Sequence, residues 1–408
     1  MRIAMLTNNY KPFVGGVPIS IERLSKSLRS LGHEVYIFAP TYDNQCDEEF
    51  VIRYKSLKGK ISGRVVLPNI FDMEIEKKFK ALKFDIIHVH HPMLLGNIAQ
   101  YLGKKYNIPV VYTYHTRYEE YLHFLKPFEL LESRGDKIGD KILNYSKEKF
   151  VPNRIRNFVN RCDLVFAPTE TMKEYLLRSG AESKVEILPT GLEDEYFNEN
   201  KKGSREVRNK YIRDNKYLFC TVSRLSKEKN LHFFIDGLLE LKNKIGDCFN
   251  TVVIGDGPLK KELEERVQRL GLHNNVTFIG KVDNKKIKEY YGACDLFLFS
   301  SKSETQGIVL LEAMASKLPV VAVKASGVMD VVENGVNGYM TTGNEEDWAN
   351  RIWDIIMNNN LRLKFKDGAF RTSKEYSDSK IAKLALHYYE EVILECYRRG
   401  QEYALKIG

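Results

Sequence analysis

Short apolar runs rich in β-branched and aromatic residues alternate with longer stretches of helical spacing along the whole chain. In the first half the runs are RIAMLTN, EVYIFAP, FDIIHVH, PVVYTYH, DLVFAP and VEILP, and in the second YLFCTVS, TVVIGDG, VTFIG, DLFLFS and PVVAV. Such runs, each followed by a turn and a helix-like segment, mark strands of parallel sheets covered by helices. Right-handed crossovers then wind each set into its own doubly wound sheet. The pattern predicts an α/β chain of two Rossmann-like domains, and 408 residues exceed what one ordinary core accommodates.

Between the two sets, residues 198 to 216 (NENKKGSREVRNKYIRDNK) carry many charges and little to bury, which places a linker there or just before. The expected domains are residues 1–195 and 196–375, followed by a C-terminal helix over 376–408. That last stretch has Ile381, Leu384, Leu386, Tyr389, Val392, Ile393 and Cys396 at amphipathic helical spacing. Ligands of doubly wound sheets sit at the carboxyl ends of the strands, so two facing sheets would hold substrates between them.

Charge adds a second theme. The net charge is +9, and residues 1 to 190 hold most of the excess, 29 Lys and Arg against 22 Asp and Glu. Two stretches stand out: Arg53 to Arg64, with five basic residues and no acid, and residues 137–161, with seven basic and two acidic. These suit an anionic partner, a membrane surface or a nucleic acid. The basic stretches lack an interleaved aromatic stacking set, which argues against nucleic acid. The six cysteines are scattered without a C-x-x-C pair, which argues against a disulfide framework or a zinc site. No run of eighteen apolar residues occurs, and MRIAMLTNNY does not read as a secretory leader, so a cytoplasmic location is expected.

Three segments carry candidate chemistry. KPFVGGVPIS places Gly15 and Gly16 just before a helix, where backbone N–H groups can approach a phosphate; taken alone, this is more often a plain strand-to-helix turn. SRLSKEKN puts Arg224 and Lys229 after the first strand of the second domain, where two cations can neutralise a diphosphate, although a basic pair in a loop is usually solvated surface. In SSKSETQGIVLLEAMASKLPVVAV, Glu304 stands in a loop and Glu312 about one and a half turns into a helix beginning near Gln306. Two carboxylates so placed can accept hydrogen bonds from sugar or ribose hydroxyls, while N–H groups around Gln306 and Gly307 point at a ligand.

Through the GGV loop, SRLSKEKN, VVIGDGPLKKEL, the E-x7-E element and VENGVNGYM, the chain resembles family 4 of the retaining, nucleotide-sugar-dependent glycosyltransferases of the GT-B fold. The resemblance spans nearly the whole length. It implies that Arg224 and Lys229 contact the donor diphosphate, that Glu312 binds the nucleotide ribose, and that Glu304 and the backbone after it grip the sugar. Gly255, Lys281, Thr305, Gln306, Gly307 and Ile308 join the donor site, with Gly15 and Gly16 approaching the phosphates from the first domain. His115, at the end of PVVYTYH, matches the histidine beside the transferring sugar; without the resemblance it would read as a core histidine. The resemblance also implies a C-terminal helix that crosses back to the first domain after about residue 376.

No Asp-x-Asp pair sits at a strand end and cations already neutralise the diphosphate, so metal-independent chemistry without a cofactor is expected. Retention without a well-placed carboxylate nucleophile points to front-face attack, in which the leaving phosphate oxygen takes the acceptor's proton. For the acceptor, HTRYEEYLHFLKPF and SETQG resemble the 1,2-diacylglycerol glucosyltransferases of bacterial membranes. These are peripheral enzymes that use UDP-glucose, which would place the chain on the inner face of the cell membrane. The same resemblance puts Tyr118 and His123 at the acceptor entrance. Ile155, Phe158, Val159 and Cys162 form an apolar stripe beside Arg154, Arg156 and Arg161, which reads equally as a membrane-docking face or as a core-facing helix with a solvated back. KASGVMD lacks a Gly-Gly pair common in relatives, and Glu193 stands where an aspartate is frequent, so the sugar is less firmly implied than the reaction class. A soluble acceptor, another lipid acceptor such as phosphatidylinositol or a polyprenol-linked one, or GDP-mannose as donor remain alternative readings.

Overall fold

The computed structural model describes residues 1–407 apart from 14, 62–64, 70, 125–136 and 214–215. The chain divides into two compact units, one formed by Met1–Gly191 with Asp378–Gly408, the other by Leu192–Ser377. The crossing between them lies a few residues before the boundary expected at 195, and the second crossing comes just after 375.

The first unit has strands β1 (Arg2–Leu6), β2 (Glu34–Pro40), β3 (Val51–Tyr54), β4 (Ser56–Ile61), β5 (Val65–Pro68), β6 (Ile86–Val89), β7 (Val110–Thr113), β8 (Leu164–Ala167) and β9 (Val185–Ile187). Seven form one sheet in the order β3-β2-β1-β6-β7-β8-β9, all neighbours parallel, and β4 with β5 forms a separate antiparallel pair. Successive side chains of a strand point to opposite faces, which explains why continuous apolar runs were needed. Ala4, Leu6, Ile87, Val89 and Tyr112 join one core, while Ile3, Met5, Ile86 and Val111 join another on the opposite face. The second of these cores is closed by the helix Gly16–Ser30 and by the C-terminal helix Asp378–Ile407, which buries Ile381, Ala382, Ala385, Tyr389 and Val392.

The second unit repeats the design with β10 (Tyr217–Val222), β11 (Phe249–Ile254), β12 (Val276–Gly280), β13 (Leu296–Phe299), β14 (Val320–Val323) and β15 (Gly338–Thr341). Their order is β12-β11-β10-β13-β14-β15, again parallel throughout. In both sheets the order reverses beside the unit's first strand, between β1 and β6 and between β10 and β13. A crevice for a ligand opens at the carboxyl ends of the strands at such a switch point.

Two local readings are narrowed. The crossing between units at Gly191 and Leu192 falls just before residues 198–216, within which Lys201–Ile212 is a helix of the second unit, capped by the Asn200 side chain and tied down through Arg208, which donates to the Ala293 carbonyl and to Asp295. The apolar stripe Ile155, Phe158, Val159 and Cys162 is buried in the first unit's core, while Arg154, Arg156 and Arg161 are exposed. The stripe therefore faces the core, and the arginines that remain for a partner flank it on two sides, Arg154 and Arg161 on one and Arg156 on the other.

Candidate functional site

The switch point of the second unit gathers the cations and carboxylates singled out in the sequence. Arg224 and Lys229 lie on the loop that leaves β10, and Glu304 on the loop that leaves the neighbouring strand β13. Lys229 Nζ donates to Glu304 Oε1 at 2.6 Å, with the two side chains only 16% and 17% exposed. The loops are stitched together below that pair: Ser300 Oγ donates to the Lys229 carbonyl at 2.8 Å and Ser301 Oγ to the Glu228 carbonyl at 3.4 Å. Arg224 is exposed on the same loop as Lys229, just past the end of β10.

Gly307 occupies the left-handed region (φ 71°) as the residue before the helix Ile308–Ala315, so the helix starts two residues later than the sequence implied. Gln306 is buried, and Thr305 and Ile308 are partly buried. A second loop packs tightly under these residues. A Cβ on Gly327 would stand 2.8 Å from the Thr305 carbonyl carbon and 2.9 Å from the Gln306 nitrogen, and Ser326 Oγ donates to the Glu304 carbonyl at 3.1 Å. KASGVMD thus supplies the glycine and the serine that fix the Glu304 loop. Glu312, one turn into the helix, is buried and accepts a hydrogen bond from Tyr291 Oη at 3.3 Å.

Gly255 approaches the same strand end from β11. Its φ is +135°, and a Cβ would fall 1.9 Å from the Ser223 carbonyl oxygen, so no side chain fits. Leu225 N–H donates to the Asp256 carbonyl at 3.1 Å, which binds the GDGP turn to the SRL turn. Lys281 is different: it is exposed after β12, which is separated from β10 by β11, and so lies away from the Lys229–Glu304 pair along the sheet.

At the first unit's switch point, Gly15 is extended and Gly16 opens the helix Gly16–Ser30; a Cβ on Gly16 would meet nothing within 4 Å. His115 lies two residues past β7. Its Nε2 stands 2.9 Å from Nδ1 of His90, and the rings stack with centroids 5.2 Å apart. The sequence reading missed His88, His90 and His91, although the run HVHH at a strand end was a visible signal. His88 bonds Thr113 Oγ1 through Nε2 (2.6 Å) and Tyr389 Oη through Nδ1 (2.7 Å), and His91 Nδ1 accepts from Asn8 N–H (3.1 Å). Burial pushes the ring pKa of His88 and of His91 down to about 3, and holds His90 and His115 well below the ordinary imidazole value, with neighbouring histidines adding to the effect. All four rings are therefore neutral near pH 7.

Tyr118 lies in the short helix Tyr118–Phe124, partly buried against the first core. The side chain of His123 lies outside the described residues. Among the described residues no group of three or more His, Cys, Asp or Glu is placed to hold a metal ion, and no helix is long and apolar enough to cross a membrane.

Residues 14–196 match the family described as Glycosyltransferase Family 4, and residues 204–372 the family described as Glycosyl transferases group 1. The chain is 30% identical over 366 residues to an alpha-monoglucosyldiacylglycerol synthase of Streptococcus pneumoniae, covering 88% of this chain and 78% of that one. It is 28% identical over 409 residues to the alpha-monoglucosyldiacylglycerol synthase of Acholeplasma laidlawii, covering 96% and 98%. Among solved structures it is similar to Anabaena Alr3699/HepE in complex with UDP-glucose, with a TM-score of 0.73 at 21% identity over 96% of this chain and 100% of that one.

Proposed function

The chain belongs to the family 4 glycosyltransferases, and from that premise we propose that it moves glucose from UDP-glucose onto 1,2-diacylglycerol, with retention at the anomeric carbon. The observation that carries the donor half is the set of groups converging where the second sheet reverses its strand order. Lys229 is held against Glu304 there, with Arg224 on the same loop and buried Glu312 one turn into the following helix. In this reading the two cations neutralise the diphosphate, Glu312 accepts from the ribose hydroxyls, and Glu304 with the Thr305–Ile308 backbone holds the sugar. Lys229 then exchanges its carboxylate partner for phosphate when donor arrives.

The leaving phosphate oxygen takes the proton of the acceptor hydroxyl as the glycosidic bond breaks and the new bond forms on the same face. Arg224 and Lys229 stabilise the charge that grows on that phosphate, the kind of electrostatic contact worth about 10²–10³ in rate when one is removed. His115 serves the transferring sugar as a neutral hydrogen-bonding ring, in keeping with its depressed pKa. Gly16, with open space where a side chain would stand, leaves room for a phosphate at a helix N-terminus.

Support for a lipid acceptor comes from the two diacylglycerol-named relatives and from the basic excess of residues 1–190. Exposed Arg154 and Arg161 offer positive charge for anionic headgroups, and the protein would sit peripherally on the inner face of the membrane. The test is to incubate the chain with diacylglycerol in anionic vesicles and, separately, UDP-glucose, UDP-galactose and GDP-mannose. Glucosyldiacylglycerol with the first donor is the expected product. Donor turnover on soluble acceptors, with none on vesicles, would overturn the lipid assignment.

A further inference from the structure

His90 is an enclosed imidazole that the transfer reaction as described above does not use. It is 1% exposed, its Nδ1 lies 2.9 Å from His115 Nε2, and the two rings are inclined by only 23°. On its other side His88 packs at a centroid distance of 4.2 Å, itself pinned by Thr113 and Tyr389. His90 Nε2 is buried and has no hydrogen-bonding partner. A cavity of about 10 Å³ lies against His90, with Ser20, Thr113, Thr190 and Asp378 also in its wall. That is room for one water, in a site polar enough to hold it.

We propose that His90 is a positioning residue for the transfer: through its Nδ1 it fixes the ring plane and tautomer of His115, and a single buried water completes its bonding at Nε2. The proposal rests on the reading that places His115 beside the transferring sugar. A neutral imidazole has one donor and one acceptor nitrogen, and two neutral rings joined through one hydrogen bond cannot choose their tautomers independently. If His90 donates, its Nε2 needs a donor from the cavity and His115 carries its proton on Nδ1. If His115 donates, His90 Nε2 carries the proton and needs an acceptor. A water that can both donate and accept satisfies either case and spares His90 Nε2 the cost of a buried, unpaired polar atom. The tautomer that His115 presents to substrate is thereby coupled to that of a group that never touches the substrate. The other titratable groups turned toward this pair are His88 and His91 from the same strand end, and Tyr389 and Asp378 from the C-terminal helix.

The test is a double-mutant cycle on the full chain with donor and vesicle acceptor, read as kcat and donor KM. His115→Ala lowers kcat. His90→Leu lowers kcat by roughly 10- to 100-fold, the scale a misaligned group costs, with donor KM little changed, and His90→Asn, whose amide reaches the Nδ1 position, restores most of it. In the His115→Ala background His90→Leu costs nothing more. A full, independent loss in that background overturns the proposal, as does a His90→Leu enzyme with normal turnover. Ring ¹⁵N shifts of His115 supply a readout independent of activity: one tautomer is expected in the native chain and a mixture in His90→Leu, and identical shifts in the two overturn the positioning role. A His115→Ala enzyme with unchanged turnover would sink the reading of His115 itself, while the nitrogen shifts still decide whether His90 sets the tautomer.

Discussion

Acidification from pH 7.5 to 5.5 should destabilise the unit formed by Met1–Gly191 and Asp378–Gly408 far more than the other. Burial keeps His88 and His91 neutral, lowering each ring pKa from 6.5 to about 3. The unfolded chain therefore takes up protons first as pH falls, and stability that is fully present above pH 6.5 is lost below it, until the folded rings themselves titrate. Over this window each ring removes on the order of 1 kcal/mol, because the window brackets the unfolded pKa by one unit on either side and the folded ring stays neutral throughout it. The two together remove roughly 2–3 kcal/mol, and His90 and His115 act in the same direction. Both tryptophans, Trp348 and Trp353, lie in Leu192–Ser377, so urea unfolding followed by tryptophan fluorescence reports that unit alone, while far-UV circular dichroism reports both. The expected result is a dichroism transition that moves to lower urea on acidification and separates from a nearly stationary fluorescence transition. In His88→Gln the pH dependence of the first transition should shrink. A pH-independent dichroism transition, or one that follows the fluorescence transition at every pH, would refute the picture of a neutral, buried histidine cluster.

Three further outcomes follow from the second unit. Lys229→Met should lower kcat at saturating donor by about 10²–10³, measured by glycolipid formation; near-normal turnover would remove Lys229 from the diphosphate contact. Glu312→Gln should raise donor KM about tenfold, a loss of about 1.4 kcal/mol, with kcat little altered, because its buried carboxylate is assigned to ribose rather than to the bond that breaks. Gly255→Ala should destabilise Leu192–Ser377 by about 3 kcal/mol or more, since a Cβ 1.9 Å from the Ser223 oxygen adds a clash to an unfavourable φ; tryptophan fluorescence melts would read this directly.

The buried strands were legible because a parallel strand covered on both faces is apolar at nearly every position, as RIAML, FDIIHVH and DLFLFS are. Four sheet-edge strands escaped notice: β4 and β5 of the antiparallel pair, VIRY in β3, which carries Arg53, whose guanidinium donates to the Pro40 carbonyl, and GYMT in β15, which is short and half-buried. The helix Lys201–Ile212 was masked by its charge, since only Val207 and Tyr211 pack against the core and capping and Arg208 supply the rest of its anchoring. In the proposed donor site the spacing of Arg224, Lys229, Glu304 and Glu312 was readable, but the pairing of Lys229 with Glu304 was not, because it depends on β10 and β13 becoming neighbours across about 75 residues of sequence. The histidine cluster needed the same tertiary information. His88 and His90 sit on one strand end, His115 on the next, and Tyr389 arrives from the C-terminal helix.

The central claim, that a nucleoside diphosphate is held where the second sheet reverses its order, is tested most directly by calorimetric titration of UDP into the intact chain and into the Arg224→Ala and Lys229→Met variants. One UDP per chain, bound at least tenfold more weakly by each variant while both keep the native melting transition, is the expected result. Equal affinity in all three proteins, or no binding to the unaltered chain, would contradict it.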